Sequence, residues 1–200
     1  MKEEPQETIA RLESELSALR AGQGDESLAA RLREAFVDVA AANTVAAPAS
    51  NTRLLTMIVE TAANVISAEA GALFLIDEDR KELYFEVAFG GKAEAVKGLR
   101  VPLGHGVAGG VAASGVPIAV SNVEDDPRWA ADIGKQVGFT PKSLLCTPVF
   151  DEDQIIGVLE LLDKVGAPSF GHGDIEVLNL FATQAAIAIQ QSRSHNTGEN

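Results

Sequence analysis

Cys146 is the sole cysteine of this 200-residue chain and sits in the apolar run Leu144-Leu145-Cys146-Thr147-Pro148-Val149. A nucleophilic or redox-active thiol needs a histidine or basic group beside it to lower its pKa. The run supplies neither, so Cys146 reads as a small core hydrophobe. One thiol also makes neither an internal disulfide nor a multi-thiolate zinc site. His105 lies between Gly104 and Gly106, where an imidazole could contact an anion or ligate a metal or haem. Alone it completes no metal site, and a loop histidine facing solvent accounts for it more simply. Neither residue yields a catalytic centre, and the chain is expected not to be an enzyme.

Gly104, Gly106, Gly109 and Gly110 surround the start of a short helix, whose free N-terminal amides could cradle a phosphate. No G-x-x-x-x-G-K-[ST] pattern accompanies them, so tight turning and close helix-to-sheet packing is the simpler use. The acidic groups at 124–126 and 151–153 have cation-ligand chemistry, yet a helix cap and solvated turns explain them better. Trp129, just after Pro127, can close over a ligand or anchor its helix to the core.

These residues need a scaffold. From Asn51, an N-cap, Leu54, Leu55, Ile58, Val59, Ala62, Val65 and Ile66 mark one face of a helix. The apolar run 72–76, the polar turn 77–81 and the alternating Leu83, Phe85, Val87 and Phe89 predict a β-hairpin. Leu99, Val101 and Leu103 mark a strand, 107–113 a short helix ending at Ser114 and Gly115, and 116–120 another strand. Asp126 with Pro127 predicts a helix over 128–137. A second hairpin spans 143–150 and 155–162, and a last helix 174–193. On that helix Ile175, Leu178, Phe181, Ala185, Ala188 and Ile189 cover more than one stripe, which implies a core face and a partner face. The order is not the βαβα alternation of a doubly wound sheet, so an α+β fold with an antiparallel central sheet is expected.

Ahead of that domain, Ile9, Leu12, Leu16 and Leu19 form a two-heptad seam, and Leu28, Leu32, Ala35, Phe36 and Val39 mark a second amphipathic stretch. A hinge at Pro48-Ala49-Ser50 divides the chain into a helical segment and linker (1–50), one domain (51–193) and a disordered polar tail (194–200). The net charge of −13, from 16 basic and 29 acidic residues, repels a nucleic-acid backbone. No run approaches the roughly 18 apolar residues of a membrane span, and the opening MKEEPQET lacks the pattern of a signal peptide. A cytoplasmic protein with no nucleic-acid or membrane partner is expected.

The domain resembles the GAF family, the sensor domains of bacterial signalling proteins and cyclic-nucleotide phosphodiesterases. The resemblance rests on GALFLID (71–77), PLGHGVA (102–108) followed by SGVPIAVSNV, GFTPKSLLCTP (138–148), IIGVLELLDK (155–164) and the closing FGHGDIEVLNLFATQAAIAI. It implies a sheet of about six strands, the first and last helices bundled behind it, and a cavity on the other face roofed by short helices. It also implies dimerisation through the bundle, as the N-terminal seam and the two-faced last helix do independently. Asp163-Lys164, Phe170 and Asp174-Ile175 partly keep a family motif whose lysine and aspartate pin the last strand to the last helix, so Lys164 and Asp174 are expected to pair.

The same resemblance places Ala72, Phe89, His105, Val107, Ala108, Trp129, Val137 and Glu160 at the cavity. Where cyclic-nucleotide binders present hydroxyls, acids or amides, this chain has Ala72, Phe89, Gly134, Val137 and Pro141, which leaves Glu160 as the main polar group. Burying a purine and a phosphate there leaves polar groups unpaired at about 1–3 kcal/mol each. A cyclic nucleotide is therefore disfavoured, and the ligand stays unidentified. One cysteine does not complete the cycle of the family's free-methionine-sulfoxide reductases, and Cys146-Thr147 is not the cysteine–histidine pair of bilin attachment; haem is disfavoured too. The expected function is a dimeric regulatory sensor that binds a small molecule and signals to an output protein in trans. The alternative is a ligand-free dimerisation or interaction domain whose cavity is filled by its own side chains.

Overall fold

A computed structural model describes residues 51–197, with side chains over 52–193. The seam through Ile9 and Leu19, the stretch from Leu28 to Val39, the linker to Ser50 and residues 198–200 lie outside the described residues.

Helix α1 (Asn51–Ile66) forms because its apolar residues recur at helical spacing. Its buried side chains are the seven of the expected face together with Ala63. Ser67, at φ 62°, turns the chain into the hairpin of β1 (Ala68–Asp77) and β2 (Glu82–Phe89). A 3₁₀ turn (Ala93–Val96) leads to β3 (Arg100–Pro102), α2 (Gly106–Ser114) and β4 (Ile118–Val120). Helix α3 (Ala131–Val137) precedes the hairpin of β5 (Leu144–Asp151) and β6 (Gln154–Lys164), and α4 (His172–Thr197) closes the fold. The six strands make one sheet in the order β3-β2-β1-β6-β5-β4, and every neighbouring pair is antiparallel.

Strand alternation divides the interior into two clusters. Leu73, Leu75, Leu145, Leu159 and Leu161 face α1 and α4, while Ala72, Phe74, Leu144, Cys146 and Val158 face α2. Two bulges tune this division. Pairing slips by one residue between Leu73 and Phe74 in β1 and between Val149 and Phe150 in β5. Each slip exchanges which side chains share a face.

Two helix boundaries differ from expectation. The Asp126 carboxylate accepts from the Arg128 backbone N–H at 2.9 Å and from its guanidinium at 2.9 and 2.6 Å. It thus closes a turn of its own, and α3 begins only at Ala131, so Trp129 precedes the helix. Helix α4 starts two residues earlier than expected and runs on past Arg193 to Thr197. At its start, Asp174 accepts from the Gly171 N–H at 2.8 Å, the reach-back of an N3 carboxylate to the cap.

The expected pin is present. Lys164 Nζ donates to Asp174 at 2.8 Å and to the Ile66 carbonyl at 2.6 Å, which ties together the ends of β6, α4 and α1. Asp163 holds φ 57°, and its carboxylate accepts from the backbone N–H groups of Lys142 and Ser143, fixing where β5 enters the sheet.

Candidate functional site

The sheet face opposite α1 and α4 opens into a cavity of about 350 Å³. Its floor is the strand face that carries Ala72 and Phe74 of β1, Phe85 and Ala88 of β2, and Glu160 and Leu162 of β6; Phe89 borders the cavity from the end of β2 while its side chain packs toward the helix-side cluster. Above lie His105, Val107 and Ala108 at the start of α2, the segment from Trp129 through Val137, and the 3₁₀ turn with Lys92 and Val96. All eight residues expected at the site line this one cavity. Phe74, Phe85, Ile133, Phe139 and the 3₁₀ turn also line it, and sequence reading had not placed them there.

Glycine packing sets the roof. At Gly109 a Cβ would come within 2.6 Å of the Pro102 carbonyl oxygen, so only glycine lets α2 lie this close to β3. At Gly134 a Cβ would meet the Trp129 ring at 2.8 Å. Trp129 thus lies against α3 and lines the cavity with the same side chain.

The polar chemistry of the floor centres on Glu160, which a cross-strand neighbour behind the lining holds. Cys146 of β5 stands directly opposite Glu160 of β6, and its thiol donates to Glu160 Oε2 at 3.1 Å. Burial, and then the adjacent carboxylate, pushes the Cys146 thiol well above its ordinary pKa, so it remains a donor. Burial likewise raises Glu160 to about 7, against the opposing pull of the thiol hydrogen bond. Straight counting back from the Asp151–Gln154 pair would put Leu159, not Glu160, across from Cys146; the bulge at Val149 and Phe150 makes the pair. No sequence signal announced that bulge.

His105 is held rather than free. Its Nε2 lies 3.1 Å from Asp132 Oδ1, which links the loop before α2 to the first turn of α3. The same hydrogen bond holds the Asp132 carboxyl below its ordinary range. Among the described residues, no group of three or more His, Cys, Asp or Glu side chains is placed to hold a metal ion.

This geometry agrees with comparison to known proteins. The family model described as the GAF domain matches residues 49–190. The chain belongs to the GAF domain family. Its GAF domain is 26% identical over 148 residues to a probable 3',5'-cyclic phosphodiesterase, pde-5, of Caenorhabditis elegans, covering 70% of this chain and 20% of that protein. The dual 3',5'-cyclic-AMP and -GMP phosphodiesterase 11 of Drosophila melanogaster is 26% identical over 156 residues, covering 71% of this chain and 11% of that one. The chain thus spans a fifth or less of the length of these relatives. Among solved structures, the GAF domain of a phosphoenolpyruvate-protein phosphotransferase from Coxiella burnetii superposes with a TM-score of 0.73 at 19% identity, covering 85% of this chain and 96% of that one. The free methionine-R-sulfoxide reductase of Neisseria meningitidis, solved with its substrate, gives 0.61 at 21% identity, covering 72% and 81%. At these identities the structural likeness is one of fold.

Within that fold no helix among the described residues is long and apolar enough to cross a membrane.

Proposed function

We propose that this GAF domain is a non-catalytic, cytoplasmic sensing module that takes a small molecule into its cavity and passes the bound state to a partner through a dimeric helix bundle. The observation that carries the reading is the cavity of about 350 Å³, whose volume falls in the range of small-molecule sites. A cavity filled by its own side chains would favour the ligand-free alternative instead.

A route from ligand to bundle follows from the sheet. Glu160 lines the cavity and accepts from Cys146 of β5, while Thr147, next along β5, donates its hydroxyl to Asn179 of α4 on the opposite face. A ligand that shifts β5 or β6 therefore moves the seat of α4. Such a shift biases signalling only if the ligand prefers one arrangement of the helices. For the bundle, Leu180 and Ile187 lie seven residues apart on α4 and are 47% and 38% exposed, a spacing that suits a second helix. The same pair supports the alternative of a ligand-free dimerisation domain. Cyclic nucleotides remain the weaker ligand class, because Ala72, Phe89, Gly134, Val137 and Pro141 bring no charged or hydroxyl side chain to the wall.

Native mass spectrometry of the purified chain tests the reading, with a dimer carrying a retained small molecule as the expected result. A bare monomer counts against both the sensor and the dimer.

A further inference from the structure

We infer that the occupant of the cavity is a small, largely apolar molecule bearing one cationic nitrogen, an amine or amidine that seats on Glu160. This rests on the sensing reading above and specifies its ligand. The cavity wall is mostly aliphatic and aromatic, and its acids are Glu160 and the exposed Glu69. Among the described residues the Glu160 carboxylate has a single hydrogen bond, from the Cys146 thiol to Oε2, which leaves Oε1 as an acceptor site. A protonated amine or amidine supplies the missing donors as a charge-assisted bond, whereas a phosphate or carboxylate would set like charges side by side.

The surrounding charges agree. On β1 the exposed Glu69 adds a second acid to the cavity wall, β5 sets the Cys146 thiol against Glu160 from outside that wall, and β2 contributes Phe85 and Ala88. Lys92 at the wall is exposed, and the His105 imidazole has its Nε2 already engaged by Asp132 of α3. The net charge of −13 further enriches cations at the surface.

Because burial raises Glu160 to about 7, a cation that pairs with it displaces a proton near neutrality. Titration calorimetry of the full chain with benzamidine, a fixed cation, and its neutral isostere benzamide reads this directly. At about pH 8 benzamidine is expected to bind about tenfold more tightly than benzamide. Between about pH 6 and about pH 8 its affinity should rise about tenfold, with proton release at the lower pH measured in two buffers of unequal ionisation enthalpy. Glu160→Gln should abolish both the preference and the pH dependence. If that variant does not fold, proton release by the wild type decides alone.

Equal affinity for the two probes, affinity that falls as pH rises, or an unaltered Glu160→Gln profile overturns the cationic ligand and leaves the sensing cavity standing. Binding of neither probe also overturns it. The sensing reading falls with it only if the native mass spectrum shows the protein bare.

Discussion

On the helix side of the sheet Leu55, Ile58, Leu159, Leu161, Leu178 and Phe181 are sealed from solvent, whereas on the other side Phe85, Ala88, Val137 and Glu160 keep surface open to a cavity. The difference is one of length. Helix α1 has 16 residues, about 24 Å, and β1 has 10, about 33 Å, so α1 and the longer α4 lie along most of the strands they cover. Helices α2 and α3 have nine and seven residues and reach only about 14 Å and about 11 Å. Short helices joined by turns roof the second face without filling it. One sheet thereby serves as a rigid wall on one side and a binding floor on the other.

The sharpest way to break that contrast is to delete an aromatic ring from each face. Phe181→Ala is expected to cost about 3–5 kcal/mol in urea unfolding, because a fully buried ring leaves a cavity that its neighbours cannot close. Phe85→Ala, at a half-buried ring that lines the cavity, should cost about 1–2 kcal/mol. Equal losses at the two positions would mean that the cavity is closed in solution, which would favour the ligand-free reading.

The polar pins make the next comparison. Lys164 and Asp174 are 15% and 20% exposed, and Lys164→Met strands both the Asp174 carboxylate and the Ile66 carbonyl. A loss of about 2–3 kcal/mol is expected, with a coupling of about 1 kcal/mol in a double-mutant cycle with Asp174→Asn. The pin on the cavity side, His105 with Asp132, is 43% and 69% exposed, and His105→Asn should leave the unfolding midpoint unchanged. A midpoint shift at His105 as large as that at Lys164 would show the roof to be as firmly tied as the bundle.

The helix side was the more legible face. The Lys164–Asp174 pair expected from the family resemblance is formed, and the seven predicted core positions of α1 are all buried because helical period fixes them locally. The hairpins and the antiparallel sheet were legible for the same reason. On the cavity side, the family resemblance brought eight residues to one wall, but periodicity could not reveal how they interact. The Cys146–Glu160 contact depends on a one-residue bulge, and the His105–Asp132 contact joins residues 27 apart through the approach of two short elements. The start of α3 was misread because Asp126 spends its carboxylate on Arg128 instead of on a helix. The 3₁₀ turn at Ala93–Val96 has no buried residue, so it left no apolar pattern to read.

A pH-dependent effect concerns Glu160, the place where the open face bears on stability. Its folded-state pKa is raised to about 7, while an ordinary glutamate titrates near 4.5. Between those values the folded chain holds a proton that the unfolded chain releases. The contribution is therefore fully present below about pH 4.5 and is lost as pH rises through about 7, the reverse of a salt-bridged carboxylate. Glu160→Gln, which keeps the shape and cannot ionise, should be near neutral at about pH 5 and stabilising by about 1 kcal/mol at about pH 8, the figure being small because the group borders an open cavity. Urea midpoints of the two proteins at both pH values measure it. A variant equally stable relative to wild type at both would mean that water in the cavity solvates the carboxylate fully, and the floor would then be no drier than the surface. A pH-dependent gain would instead show that the carboxylate is costly to leave ionised without a partner, which is the condition under which a ligand donor at Glu160 has most to contribute.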